Sequence, residues 1–191
     1  MARAINSIFN KTLFQRLLNS RKSNNTEVIY FDKTTTEKGE SPSKIFDIDD
    51  TIFYKPFEIE INYDITNQTQ PKNTIAFFCC RKDQTAIQPS VHIFCTNKLL
   101  NFDLSSIGSS DRINTNFAIK DKGVIKVQYI EGIIKFYYND KLINTFDKST
   151  NKLTGNLPNK CSIGQSYATN TGSMANGVNG TVNVKIKELK V

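Results

Sequence analysis

Glu58 and Glu60 are carboxylates two positions apart, the first residues here whose type and spacing invite chemistry. Alternate side chains of a strand share a face, and a retaining glycosidase needs an acid and a nucleophile about 5 Å apart. The pair also alternates with Phe57, Ile59 and Ile61, as on any strand with one wet face, and we expect that ordinary, solvated role. The run Asp47-Ile48-Asp49-Asp50 offers oxygen ligands to calcium but lacks the spacing of a calcium loop. It reads instead as a polar turn leading into a strand at 51–54. His92 is the only histidine; with no second histidine or paired nucleophile in the sequence, it reads as a strand residue without chemistry. Cys79 and Cys80 are adjacent, so on a strand they point to opposite faces and make poor metal ligands. With Cys95 and Cys161 they are expected as buried or half-buried free thiols, a Cys80–Cys95 disulfide being the alternative. No catalytic residue, metal site or cofactor is expected.

The segment 166–180 is rich in Gly, Asn, Thr and Ser and contains Tyr167 and Met174. As a sugar-recognition loop it would offer Tyr167 as a stacking platform and Asn170, Asn176 and Asn179 as hydrogen-bonding groups. The plainer alternative is a long connector. For nucleic acid, the sequence has no zinc pattern, recognition helix or aromatic-basic motif.

These residues must be held by strands. From Val28 onward short alternating runs separated by turn residues predict an antiparallel sandwich over 25–191. The clearest run is 57–65, with Phe57, Ile59, Ile61, Tyr63 and Ile65 on one face. Further strands are predicted at 27–31, 51–54, 74–80, 90–95 and 112–119, with 74–80 apolar enough for the centre of a sheet. Segment 123–146 predicts a three-stranded meander whose tight turns are Glu131-Gly132 and Asn139-Asp140. A closing strand spans 181–191, where a change of phase predicts a bulge near Lys187 or Glu188. No strand alternates with a convincing helix, which excludes βαβ folds.

Ahead of this body, Ile5, Ile8, Phe9, Leu13 and Leu17 follow spacings of three and four and line one stripe of a helix. Residues 1–24 are therefore predicted as a basic amphipathic arm and polar linker. A helix this short needs a partner for its apolar face. We expect another protein subunit of a large assembly; folding back on the sandwich and a mitochondrial-type targeting peptide are the alternatives. The chain has 191 residues and a formal charge of +7, and Arg3, Lys11, Arg16, Arg21 and Lys22 all precede the first acidic residue, Glu27. No run approaches the roughly 20 apolar residues of a membrane span. The abundance of Asn, Lys and Ile suggests an AT-rich coding genome.

Tyr137-Tyr138-Asn139-Asp140-Lys141-Leu142-Ile143, with Gly180-Thr181-Val182-Asn183-Val184-Lys185-Ile186, resembles the second half of concanavalin A-like lectin and laminin-G-like domains. Asp140 stands where that family commonly has Gly. The resemblance implies an all-β two-sheet jelly roll whose rim or concave face often binds sugars. Glucanases of this fold carry Glu-x-Asp-x-x-Glu, a pattern broken here because Glu60 sits where Asp belongs. Joined to a docking arm, such a domain looks like a non-enzymatic virion structural or attachment protein of the phage fibre, baseplate or decoration type. The alternative is a cellular carbohydrate-binding module or adhesin at the cell surface; a subunit of a mitochondrial complex and a glycoside hydrolase rank behind both.

Overall fold

The computed structural model describes residues 28–35, 45–66, 68, 74–81, 90–105, 112–149, 157–168, 173–175, 177–178 and 180–190. The arm, with Ile5, Ile8, Phe9, Leu13 and Leu17, lies outside the described residues.

Two six-stranded antiparallel sheets face each other. The first has the order β1 (Val28–Thr35), β14 (Gly180–Glu188), β3 (Phe57–Asp64), β8 (Lys122–Ile130), β9 (Ile133–Tyr138) and β10 (Lys141–Asp147). The second has the order β2 (Ile45–Asp47), β11 (Lys160–Ile163), β4 (Thr74–Arg81), β5 (Ser90–Thr96), β6 (Leu99–Ser105) and β7 (Arg112–Ala118). A small hairpin, β12 (Ser166–Ala168) and β13 (Ser173–Ala175), completes the set. The predicted sandwich is thus observed, with β4 inside its sheet as its apolar run requires.

The period-two pattern fixes what each sheet buries. Ile59 of β3 lies opposite Val127 of β8 and Ile186 of β14, and Ile61 lies opposite Ile125 and Val184. All six are buried in one core with Phe77, Phe78, Val91, Ile93, Leu100 and Phe102 of the second sheet. Aromatic rings bridge the sheets: Tyr63 to Phe77 at 4.8 Å and Phe102 to Phe136, edge to face, at 5.6 Å. Two tyrosines close the β7–β8 corner. Tyr63 Oη donates to Lys120 O at 2.8 Å and meets Tyr138 Oη at 3.1 Å, while Tyr138 Oη donates to Lys122 O and accepts from Lys120 N.

Both meander turns form as predicted, with positive φ at Glu131, Gly132, Asn139 and Asp140. A third such turn, Asn97-Lys98, joins β5 to β6 without any glycine.

Several expectations are corrected. Residues 50–54 form a short 3-10 helix, not a strand. Asp49 caps it, accepting from Thr51 N at 3.1 Å and Thr51 Oγ1 at 2.7 Å, and a side-chain oxygen on the first backbone donors favours a helical turn over an extended one. Ile52 and Phe53 are still buried, which is why the segment reads as apolar strand. The bulge near Lys187 is absent: β14 keeps unbroken register with β3 from Thr181↔Asp64 to Glu188↔Phe57. Leu189 N donates to Pro56 O at 2.8 Å, one step further along the same register. All four cysteines are buried and free. Cys80 lies opposite Val91, and Cys95 opposite Ile75, at the other end of the β4–β5 ladder, so the Cys80–Cys95 disulfide has no geometry to form.

Candidate functional site

On β5, Val91, Ile93 and Cys95 enter the core, which turns His92 and Phe94 to the outer face of the second sheet. On β6, Leu100, Phe102 and Leu104 point in and Asn101 and Asp103 point out. Register then aligns five strands on one rung: Ser162, Cys79, His92, Asp103 and Arg112.

An outer sheet face is ordinarily wet. Here His92 is only 4% exposed, Asp103 8%, and Ser162 and Ser166 are fully buried. β12 lies close to β4 and β11. Ser162 Oγ donates to Gln165 O at 2.7 Å, which sets the entry to the hairpin, and Ser166 Oγ meets His92 Nε2 at 3.1 Å. The His92 ring stacks on Phe94, centroids 4.5 Å apart. Arg112 lies over the same Phe94 ring at 5.0 Å and grips Asp103 with a two-pronged fork, Nε to Oδ1 at 2.9 Å and Nη2 to Oδ2 at 3.2 Å.

Ser166, His92 and Asp103 have the residue types of a nucleophilic triad but not its geometry. His92 Nδ1 is 3.7 Å from Asp103 Oδ2, beyond hydrogen-bond length. Both carboxylate oxygens are engaged by Arg112, and the serine is buried. The chain of contacts holds two things still: the guanidinium, whose side chain remains 60% exposed, and the base of the hairpin.

Burial pushes the His92 pKa below its ordinary value, so the folded protein holds the ring neutral. Burial alone would raise Asp103, but His92 and Arg112 outweigh it and keep the carboxyl below its ordinary value. The unfolded chain protonates His92 near pH 6.5, whereas the folded chain does so only at lower pH. Between those two values the unfolded state binds more protons, so stability falls as pH drops. Urea melts between pH 7.5 and 5 are expected to show this loss, and His92→Gln is expected to flatten it; an unchanged slope in the variant would assign the effect elsewhere.

No protein-family model matches the sequence, and no curated protein does. Solved structures do match. The Ruminococcus gnavus IT-sialidase CBM40 superposes with a TM-score of 0.66 at 12% identity, over 85% of this chain and 94% of that one. The chain shares its fold with a sialidase carbohydrate-binding module. The same module bound to α2,3-sialyllactose gives TM-score 0.66 at 12% identity, over 85% and 92% of the two chains. The binding domain of botulinum neurotoxin DC, in complex with rat synaptotagmin II, gives 0.50 at 17% identity, over 86% of this chain and 42% of that one. The likeness establishes an all-β jelly-roll fold.

On that module fold the sequence-predicted residues fall in two places. Glu58 and Glu60 share the outer face of the first sheet, on the far side of the sandwich from His92. Glu58 accepts from Gln128 Nε2 at 2.6 Å and pairs with Lys187 at 2.7 Å; Glu60 pairs with Lys126 at 3.7 Å. The expectation of a solvated Glu58 is corrected, since it is 4% exposed, enclosed by long neighbours across the ladder. Both carboxylates serve cross-strand ion pairs, and Glu58 presents no surface to a substrate. No cluster of three or more metal-ligating side chains occurs among the described residues.

Segment 166–180 is not a plain connector. Tyr167 sits in β12 opposite Met174 of β13, in the strand whose first residue touches His92. Asn170, Asn176 and Asn179 lie outside the described residues. Sequence reasoning flagged this segment and His92 separately and missed Asp103, Arg112 and Phe94. The alternation of His92 and Phe94 with Val91, Ile93 and Cys95 was the available signal for the outer face.

Proposed function

We propose that this chain is a non-catalytic carbohydrate-binding module of the concanavalin A-like lectin type, which takes sialylated glycans on the outer face of β5–β7 beside the β12–β13 hairpin. The observation that carries the reading is the Arg112–Asp103 fork held over Phe94, on the strand whose His92 meets Ser166 of β12, in a fold shared with a module solved with sialyllactose. Among the described residues only Nε and Nη2 of Arg112 are engaged, leaving Nη1 for a ligand oxygen. Tyr167 supplies a stacking surface, and Asn170, Asn176 and Asn179 supply hydrogen bonds to sugar hydroxyls. Catalysis has no support in Glu58 and Glu60, whose carboxylates are committed to lysines. This reading takes the cellular module over the virion attachment protein, because the similar solved structures are a sialidase module and a toxin binding domain, and the docking arm lies outside the described residues. The arm's docking on a partner subunit is compatible with it.

A glycan array is expected to show selective binding, with α2,3- or α2,6-sialylated glycans among the bound set. Hydrogen bonds to a charged group contribute about 1.5–3 kcal/mol, so Arg112→Ala is expected to weaken binding by roughly 10- to 100-fold, and Tyr167→Ala to weaken it as well. A folded wild-type protein that binds no glycan, or an Arg112→Ala protein that binds as well as wild type, would refute the proposal.

A further inference from the structure

Where β11 meets β4, two thiols face each other inside the core. The strands pair through Ser162↔Cys79 and Ile163↔Phe78, and one further step of that antiparallel register sets Cys161 against Cys80. Alternation assigns the sides. Ser162 and Cys79 belong to the outer face that carries His92, whereas Cys80 and Cys161 both belong to the core and are both fully buried. Cβ atoms of directly opposed residues on antiparallel strands lie about 4.5–5.5 Å apart, and a disulfide needs about 3.5–4.5 Å. A small inward movement at a strand end closes that gap. Cys80 Sγ donates to Pro158 O at 3.4 Å, which draws the thiol toward the segment entering β11. The pair also lies near a sheet margin: β11 has four residues, and β2 outside it has three.

We propose that Cys80 and Cys161 are a cross-strand dithiol that a small disulfide oxidant converts to a disulfide, stapling β11 to β4. One thiolate attacks a sulfur of oxidised glutathione, forming a mixed disulfide and expelling one glutathione thiolate. The second thiolate attacks the protein sulfur of that mixed disulfide and expels the other. Two protein thiols are oxidised, one oxidant disulfide is reduced to two thiols, and the two protons end on glutathione. Burial raises both protein thiols, so the resting pair is inert, and reaction proceeds through local opening of the short β2–β11 margin. β11 leads through Gly164 and Gln165 into β12, so the staple fixes the base of the hairpin that carries Ser166 and Tyr167.

The test treats the full chain with oxidised glutathione at pH 8, in buffer and in sub-denaturing urea, then counts thiols after denaturation and maps peptides without reduction. The expected result is a fall from four thiols to two, a peptide joining Cys80 to Cys161, and a higher melting temperature that dithiothreitol reverses. Cys95→Ala is expected to go from three thiols to one, and Cys80→Ala to keep its three free. Four thiols persisting under both conditions, or a bond between any other pair or between molecules, would overturn the proposal. Mapping the wild-type protein decides the matter even where a core variant fails to fold.

Discussion

Phe136→Ala is expected to cost about 3–5 kcal/mol of folding stability, the range for truncating a fully buried aromatic ring. Phe136 has no exposed surface and stands edge-on to Phe102 of the opposite sheet at 5.6 Å and to Phe146 of β10 at 5.8 Å. Its neighbour across the ladder is Val127 of β8. The void would therefore lie between two sheets, each anchored by a hydrogen-bonded ladder, and neither can collapse into it without breaking register. Urea denaturation with the slope held constant measures the loss, and a change below about 1 kcal/mol would mean that the sheets are not packed as described.

The second large effect is expected from adding one carbon. Gly180 opens β14 and sits between β1, through Thr35, and the end of β3. An alanine Cβ there would lie 2.0 Å from Asp64 O, and the backbone has φ of +158°. The clash is with a carbonyl of a paired strand, so relief requires parting β14 from β3. Overpacking and backbone strain each cost about 1–3 kcal/mol, and Gly180→Ala is expected to lose about 3 kcal/mol in the same urea experiment. Retention of the wild-type midpoint would show that β14 begins differently.

Much of this architecture is legible in the sequence, for identifiable reasons. β3, β8 and β9 keep strict alternation, β10 breaks it with a bulge between Leu142 and Asn144, and Gly132 and Asn139-Asp140 mark the turns. β6 alternates too, through Leu100, Phe102 and Leu104, but the turn before it is Asn97-Lys98, which carries positive φ on residues that give no turn signal as strong as glycine. β2, β11, β12 and β13 span three or four residues each, too few for a period to show. The 3-10 helix at 50–54 has the apolar and aromatic content of a strand, and only the Asp49 cap sets it apart.

The site was harder to read because its parts meet through register. His92 is alone in composition, and nothing local announces that Asp103, then Arg112, will stand beside it on neighbouring strands. Phe94 looks like one more core aromatic until the facing of β5 is known. The segment containing Tyr167 declared itself by its Gly and Asn content, but the contact of Ser166 with His92 depends on β11 pairing with β4. Glu58 and Glu60 drew attention by spacing alone, and tertiary pairing with Lys187 and Lys126 gives them a structural task.

The claim on which the functional account turns is that a glycan binds the outer face of β5–β7. Titrating isotope-labelled protein with α2,3-sialyllactose and following its backbone amides by NMR tests this most directly. Saturable shifts are expected at His92, Asp103, Arg112 and Ser166, with Glu58, Lys126 and Lys187 unmoved. Shifts centred on Glu58 and its neighbours, or none up to millimolar ligand, would contradict the claim.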